Sequence, residues 1–172
     1  MRLLATALLL LGASWAKAGD DAIQRYLADL YLGDSLSTAQ KLYPPTRDWP
    51  KYLEPRGRVN RIKVESRAAK KFPAHVETMW LGFKSDRLVE VELIYDAQYT
   101  REKSLDELAS DLALIYGEPK RGEDRFWWSD GKTVLRTLSV SVPALDREGQ
   151  PSSELRTALQ LFNAGLFHSR KE

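Results

Sequence analysis

Cysteine is absent from the 172-residue chain. No disulfide can staple the fold, so its stability must come from packing, and there is no thiol for lipid attachment near the N-terminus. Histidine is scarce: His75 and His168 stand far apart, neither with a carboxylate or second histidine at ligand spacing, so both read as ordinary surface residues and no metal is expected. A glycine-rich phosphate loop is missing as well, and Gly117 and Gly131 have structural uses. Long apolar runs are confined to the first residues, so no later segment reads as a membrane span.

What is present begins with Met1-Arg2, an apolar stretch through Leu3, Leu4 and Leu8 to Leu11, and then Ala16-Lys17-Ala18. A basic start, an apolar middle and a small-x-small end make residues 1–18 an expected export signal peptide, followed by a single domain over 19–172. The apolar stretch, about 13 residues, is shorter than the roughly 20 a membrane-spanning helix requires. The expected location after cleavage near Ala18 is the periplasm, or outside the cell. Two of the 26 basic residues, Arg2 and Lys17, leave with the signal while all 24 acidic residues stay. The mature domain is then formally neutral, and nucleic acid is not an expected partner.

Beyond the signal, Asp20-Asp21 offers a cap, Ile23, Tyr26, Leu27, Leu30 and Tyr31 follow at helical spacing, and Gly33 supplies a stop; a helix is expected there. A second short helical pattern, Leu36, Ala39, Leu42 and Tyr43, opens at Ser35 or Ser37 and ends at Pro44-Pro45, where the ring removes a backbone donor. After a proline-containing loop over 46–57 the period changes. Ile62 and Val64 alternate with Arg61, Lys63 and Glu65 as in a half-buried strand. Met79, Leu81 and Phe83, a turn at Lys84-Ser85-Asp86, and Val89, Val91, Leu93 and Tyr95 make a hairpin. Ser104-Leu105-Asp106-Glu107 is a capping box opening a helix with the stripe Leu105, Leu108, Leu112, Ile115 and Tyr116, ended by Gly117 and Pro119.

A second hairpin is expected from Arg125 to Trp128 and from Lys132 to Val142, across a two-residue Asp130-Gly131 turn. In the last segment Leu155, Thr157, Leu159 and Leu161 alternate as a strand, while Leu155, Leu159, Phe162 and Leu166 fit a helix. Periodicity leaves both open; the strand is preferred because it would cover a sheet edge. The expected fold is α+β and two-layered: an antiparallel sheet of about five to six strands with helices on one face, in the order αβββαβββ. Leu42-Tyr43-Pro44 with Trp49 downstream is echoed by Ile115-Tyr116-Gly117-Glu118-Pro119 with Trp127 downstream, as in an internal duplication.

Gly33-Asp34-Ser35, the short helix and Tyr43-Pro44-Pro45, echoed by the second helix and Tyr116-Gly117-Glu118-Pro119, resemble the helix-then-sheet module of small exported bacterial proteins of the BamE-like and β-lactamase-inhibitor-protein-like kind. The resemblance covers those two stretches and the hairpin order. It implies a binding or envelope-assembly role without catalysis, and hence a partner. The chain departs from the BamE-like pattern in lacking a lipidated cysteine, so outer-membrane anchoring is not implied.

Carboxylates are plentiful but placed without an obvious pairing. Glu90 and Glu92 share a strand face expected to be wet, and Asp106, Glu107 and Asp111 decorate the capped helix, where early negative charge suits the helix dipole. No catalytic residue and no cofactor is expected. A hydrolase, the competing class, would need Asp96, Asp130 or Glu123 brought together by the fold. Between residues 56 and 71, Arg56, Arg58, Arg61, Lys63, Arg67, Lys70 and Lys71 face Glu65 alone. Such a segment is either an edge strand protected by its charges or a patch, built on Arg58, Arg61 and Lys63, for phospholipid, lipopolysaccharide or an acidic protein.

Phe126-Trp127-Trp128 puts two indoles on opposite faces of one strand. With the two-residue turn, Trp128 faces Thr133, Trp127 faces Val134 and Phe126 faces Leu135. Trp127 then shares a side with Val134, Leu138, Val140 and Val142 and is the expected core member. Trp80, Phe126, Trp128 and Leu135 would form an aromatic cluster on the other side. That cluster is either a contact site for a protein or cell-envelope component, or a second small core under the N-terminal helices and the proline-containing loop.

Overall fold

The computed structural model describes residues 22–47, 49, 50, 53, 58–69 and 71–166; the export-signal residues, Asp20-Asp21, Arg56, Lys70 and His168 lie outside them. In chain order, β1 (Tyr26–Leu27) and β2 (Leu30–Tyr31) precede α1 (Leu36–Leu42). Then come β3 (Asn60–Val64), β4 (Val76–Lys84) and β5 (Arg87–Tyr95), two helices, α2 (Ala97–Glu102) and α3 (Leu105–Tyr116), and four strands. These last are β6 (Lys120–Arg121), β7 (Arg125–Ser129), β8 (Thr133–Leu145) and β9 (Pro151–Asn163). The fold is α+β with an antiparallel seven-stranded sheet, β3-β4-β5-β9-β8-β7-β6, in place of the five or six strands expected.

The hairpins β4–β5 and β7–β8 form where alternation predicts them. Ser85 and Asp86 take positive φ of 49° and 61° between β4 and β5, the mirror-image turn that matches strand twist. The final segment is a strand, as preferred. It covers no edge, however: β9 lies at the centre, paired to β5 on one side and to β8 on the other. It thereby joins two similar halves, each a helix followed by a meander of strands. Beyond Leu138 and Ala158, β8 and β9 lose their other sheet neighbours and continue as a two-stranded arm to the turn at Asp146, whose carboxylate accepts from the backbone of Glu148 and Gln150.

The helices α1 and α3 lie on one side of the sheet. Ala39, Leu42 and Tyr43 of the α1 region pack on Ile62, Val64, Met79, Leu81 and Val91. Ala109, Leu112, Ala113 and Tyr116 of α3 pack on Trp128, Leu135, Leu159 and Leu161. The capping box of α3 forms as read, Ser104 accepting from Glu107 N and Glu107 from Ser104 N. Its stripe is rotated, though: Ile115 is 66% exposed, and Ala109 and Ala113 take the inner positions.

The helix expected over 23–31 is absent. Ala28 and Asp29 adopt positive φ of 53° and 61°, and the chain turns back as the β1–β2 hairpin, with Tyr26 opposite Tyr31. The i, i+3, i+4 spacing here coincides with a shorter alternation, Leu30 and Leu32 buried with Tyr31 outside. Leu30 enters the core beneath α1, Leu32 and Ile23 the core beneath α3, and Leu27 touches both, so this segment fills the gap in the helical layer. Backbone bonds between Gly33 N and Leu88 O and between Leu88 N and Asp34 O, each 2.8 Å, fasten it to the sheet.

The β7–β8 register also differs from expectation. Asp130 Oδ1 accepts from both Lys132 N and Thr133 N, lengthening the turn so that Trp128 pairs with Leu135, Trp127 with Arg136 and Phe126 with Thr137. Each pair moves by an even number of positions, so the division into faces survives. The inside and outside are exchanged. Trp128 is 5% exposed, its Nε1 donating to Gly117 O at 2.8 Å and its ring near Tyr116, whereas Trp127 lies on the face without helices. The threonines disguise the inner side: Thr133 and Thr137 look polar but are fully buried, while Val134, Leu138 and Val140 are only half-buried.

Trp128→Ala therefore removes a core indole and the N–H that donates to Gly117 O at the end of α3. A loss of about 3–5 kcal/mol is expected in urea unfolding. A loss under about 1 kcal/mol would mean that the ring is not a core member.

Candidate functional site

On the face away from the helices, the ladder sets side chains in rows. One row runs Lys63, Trp80, Glu92, Gln160, Arg136, Trp127 and Lys120; the next runs Arg61, Gly82, Glu90, Phe162 and Val134. No helix covers these rows among the described residues, and long side chains shield one another instead.

Glu90 and Glu92 do share a face, as their spacing requires, but the face is not wet. Glu90 is 0% exposed and Glu92 7%. Buried carboxylates are unfavourable by several kcal/mol unless paired and hydrogen-bonded. Arg61 supplies the charge for both: its Nε lies 3.1 Å from Glu90 Oε2 and its Nη2 donates to Glu92 Oε2. The Gln160 amide donates to Glu90 Oε1, and its carbonyl oxygen accepts from Arg136 Nε. Aromatic rings complete the setting, with the guanidinium of Arg61 5.2 Å from the centre of Trp80 and that of Arg136 5.2 Å from the centre of Phe162.

The network is under-satisfied at one atom. Glu90 Oε2 is buried and accepts no hydrogen bond, although Arg61 stands within ion-pairing distance. Burial accordingly pushes the Glu90 carboxyl up to about 7, with the neighbouring Glu92 charge adding to the effect and Arg61, Gln160 and Arg136 opposing it. Room for this carboxylate comes from Gly82, where a Cβ would fall 2.6 Å from Glu90 Oε2 and 2.8 Å from Val59 Cγ1.

Beside the network, toward β7, the open face hollows into a cleft of about 740 Å³. Trp127, Val134 and Phe162 form its apolar walls, Arg125 and Arg136 bring positive charge, and Glu123 and Asp124 stand at the turn beside them. Asp124 is engaged with Arg125, Oδ1 to Nε at 2.8 Å.

The residues singled out from sequence fall in three places. Trp80, Arg61 and Lys63 meet on the open face at the β3–β4 end. Trp128, Phe126 and Leu135 lie on the opposite, helix-covered face, so the single cluster with Trp80 does not form; nor is their cover the N-terminal helices or the proline-containing loop, since α3 together with Ile23 and Leu32 packs on them while Tyr43 and Trp49 join the core of the other half. Arg58 is exposed just ahead of β3, which is indeed an edge strand. Of the basic segment, Arg67 pairs with Glu65 and Lys71 with Asp29 as well as Arg61 with the two glutamates, so much of its charge is already neutralised.

The carboxylates named for a hydrolase are not gathered. Asp96 caps α2, accepting from Tyr99 N, with His75 Nδ1 3.8 Å away; Asp130 holds the β7–β8 turn and Ile23 N; Glu123 stands beside the cleft. Burial raises the Asp130 carboxyl, but the backbone donors of Thr133, Lys132 and Ile23 outweigh it and hold the group below the usual carboxylate range. No cluster of three metal-ligating side chains occurs among the described residues, and none of their helices is long and apolar enough to cross a membrane. Comparison of the chain with protein-family models, with curated proteins and with solved structures returns no match.

Sequence reasoning missed Glu90, Gln160 and Arg136 as a site. The readable signal was Glu90-Val-Glu92 in an otherwise apolar strand, opposite the conspicuous Gly82 of β4; the partner Gln160 depends on the central placement of β9.

Two outcomes follow. The folded state keeps a proton on Glu90 that the unfolded chain releases, so its contribution is present below about pH 4.5 and falls away as pH rises through about 7. Urea titrations should show wild type losing roughly 3 kcal/mol across that window relative to Glu90→Gln, whose slope there is flatter. Parallel slopes would contradict the buried, strained carboxylate. Gly82→Ala forces a methyl against that carboxylate and should cost about 1–3 kcal/mol by the same assay; a neutral result would show that Glu90 does not occupy the space.

Proposed function

We propose that this chain is an exported, soluble binding module that captures a protein or cell-envelope component on the open face of its sheet, without a cofactor. The observation that carries the reading is the polar network itself. Two buried glutamates, two arginines and a glutamine sit on a sheet face with no covering element, where apolar packing would be the cheaper route to stability. Around them stand Trp80, Trp127 and Phe162, large rings beside cations, the composition typical of residues that dominate binding energy.

The contact surface in this reading runs from Arg58, Arg61, Lys63 and Trp80 across Glu92 to the cleft at Trp127. Phe126 and Trp128 act from beneath, as core residues that hold β7 in place. The sequence resemblance to the BamE-like and β-lactamase-inhibitor-protein-like modules supports a binding role, and the N-terminal 1–18 segment supports export.

The test contrasts the two faces. Trp80→Ala and Trp127→Ala should each change stability by about 1 kcal/mol or less yet reduce cross-linked partner capture from envelope extract about ten-fold or more. Undiminished capture by both variants would rule the open face out as the contact surface.

A further inference from the structure

We propose that Glu90 is a proton-operated latch on Arg61: ionised, it helps hold the guanidinium down in the sheet; protonated, it releases that half of the grip and frees Arg61 to engage a partner. This deepens the reading of the open face as a binding surface and rests on it.

The geometry is that of a shared counter-ion. Glu90 and Glu92 stand two residues apart on one face of β5 and divide a single guanidinium between them. Arg61 is the exposed member, its side chain 41% accessible at the edge strand while Glu90 is sealed. Its plane also lies over Trp80, so any change in its tether alters the ring that the contact surface depends on. The groups facing Glu90 are few: Arg61 from β3, Glu92 from its own strand, Gln160 from β9 and Arg136 from β8, with Gly82 of β4 providing space and no charge. Lys63, one row along, faces Trp80.

A proton has one place to go. Glu90 Oε1 already accepts from Gln160, whereas Oε2 accepts no hydrogen bond. A proton on Oε2 quenches the ion-pair attraction to Arg61 Nε at 3.1 Å and makes that oxygen a donor, so the contact sets donor against donor. Glu92 keeps its bond to Nη2, which makes the device a partial release: the guanidinium pivots on Glu92 toward solvent. Burial sets the proton uptake near neutrality, where it answers to modest acidification.

The test uses the protein alone, so failure of the latch is distinguishable from failure to bind a partner. Hydrogen exchange at Arg61 Nε, read by NMR on 15N-labelled protein, is compared between wild type and Glu90→Gln at matched pH. At pH about 8.5 wild type should exchange about ten-fold more slowly than the variant, and at pH about 5.5 the two should coincide, since the glutamine mimics the protonated acid. Equal rates at both pH values, or a protection that persists unchanged at low pH, would overturn the latch. Glu92→Gln provides the control: it should lower protection at both pH values while leaving the pH-dependent step from Glu90 in place.

Discussion

The antiparallel pairing of β5 with β9 is the contact on which the molecule depends. It is the most sequence-distant junction in the sheet, and without it the chain would be two separate helix-and-meander pieces. Because the ladder places Leu93 opposite Leu159 and Val91 opposite Leu161, it gives both halves a common floor on the helix side. The same ladder places Glu92 opposite Gln160 and brings Glu90 within reach of that amide, which builds the polar network on the other side. Core and candidate site are thus two faces of one junction.

The helical layer answers the same geometry. α1 covers one half and α3 the other, which leaves a seam above the junction. Ile23, Leu27, Leu30 and Leu32 of the β1–β2 segment fill that seam. A two-residue hairpin is a poor structure in isolation. It persists here because its side chains are needed from above and its end is tied to Leu88 from below.

Much of this was readable locally and little of it globally. The capping box at Ser104, the β4–β5 hairpin and the alternation of Leu155, Thr157, Leu159 and Leu161 are properties of neighbouring residues, and they appear in the structure. The N-terminal segment was misread because its apolar spacing satisfies a helix and a hairpin alike, and only positive φ at Ala28 and Asp29 decides between them. The two tryptophans were divided correctly between faces, yet which face lies inside depends on where α3 docks. Thr133 and Thr137, both buried, disguise the inner side as polar. At the candidate site, charge and aromaticity mark Trp80, Arg61 and Lys63 as candidates. The strand pattern alone makes Glu90 look solvated, because its amide partner Gln160 comes from β9, some seventy positions later in the chain.

The arm formed by the far ends of β8 and β9 follows different rules from the rest. Past Leu138 and Ala158 its two strands pair only with each other, and their ties to the rest of the domain cluster at the base: Ser139 N to Asp124 O, Thr157 N to the hydroxyl of Thr100 and Arg156 to Glu77. Such a ladder is free to open in steps from the Asp146 turn inward, without waiting for the molecule as a whole to unfold. The consequence to expect is a gradient of amide protection, rising from Leu145 toward the point where Ala158 meets β5, and an extension that melts apart from the sheet that carries it.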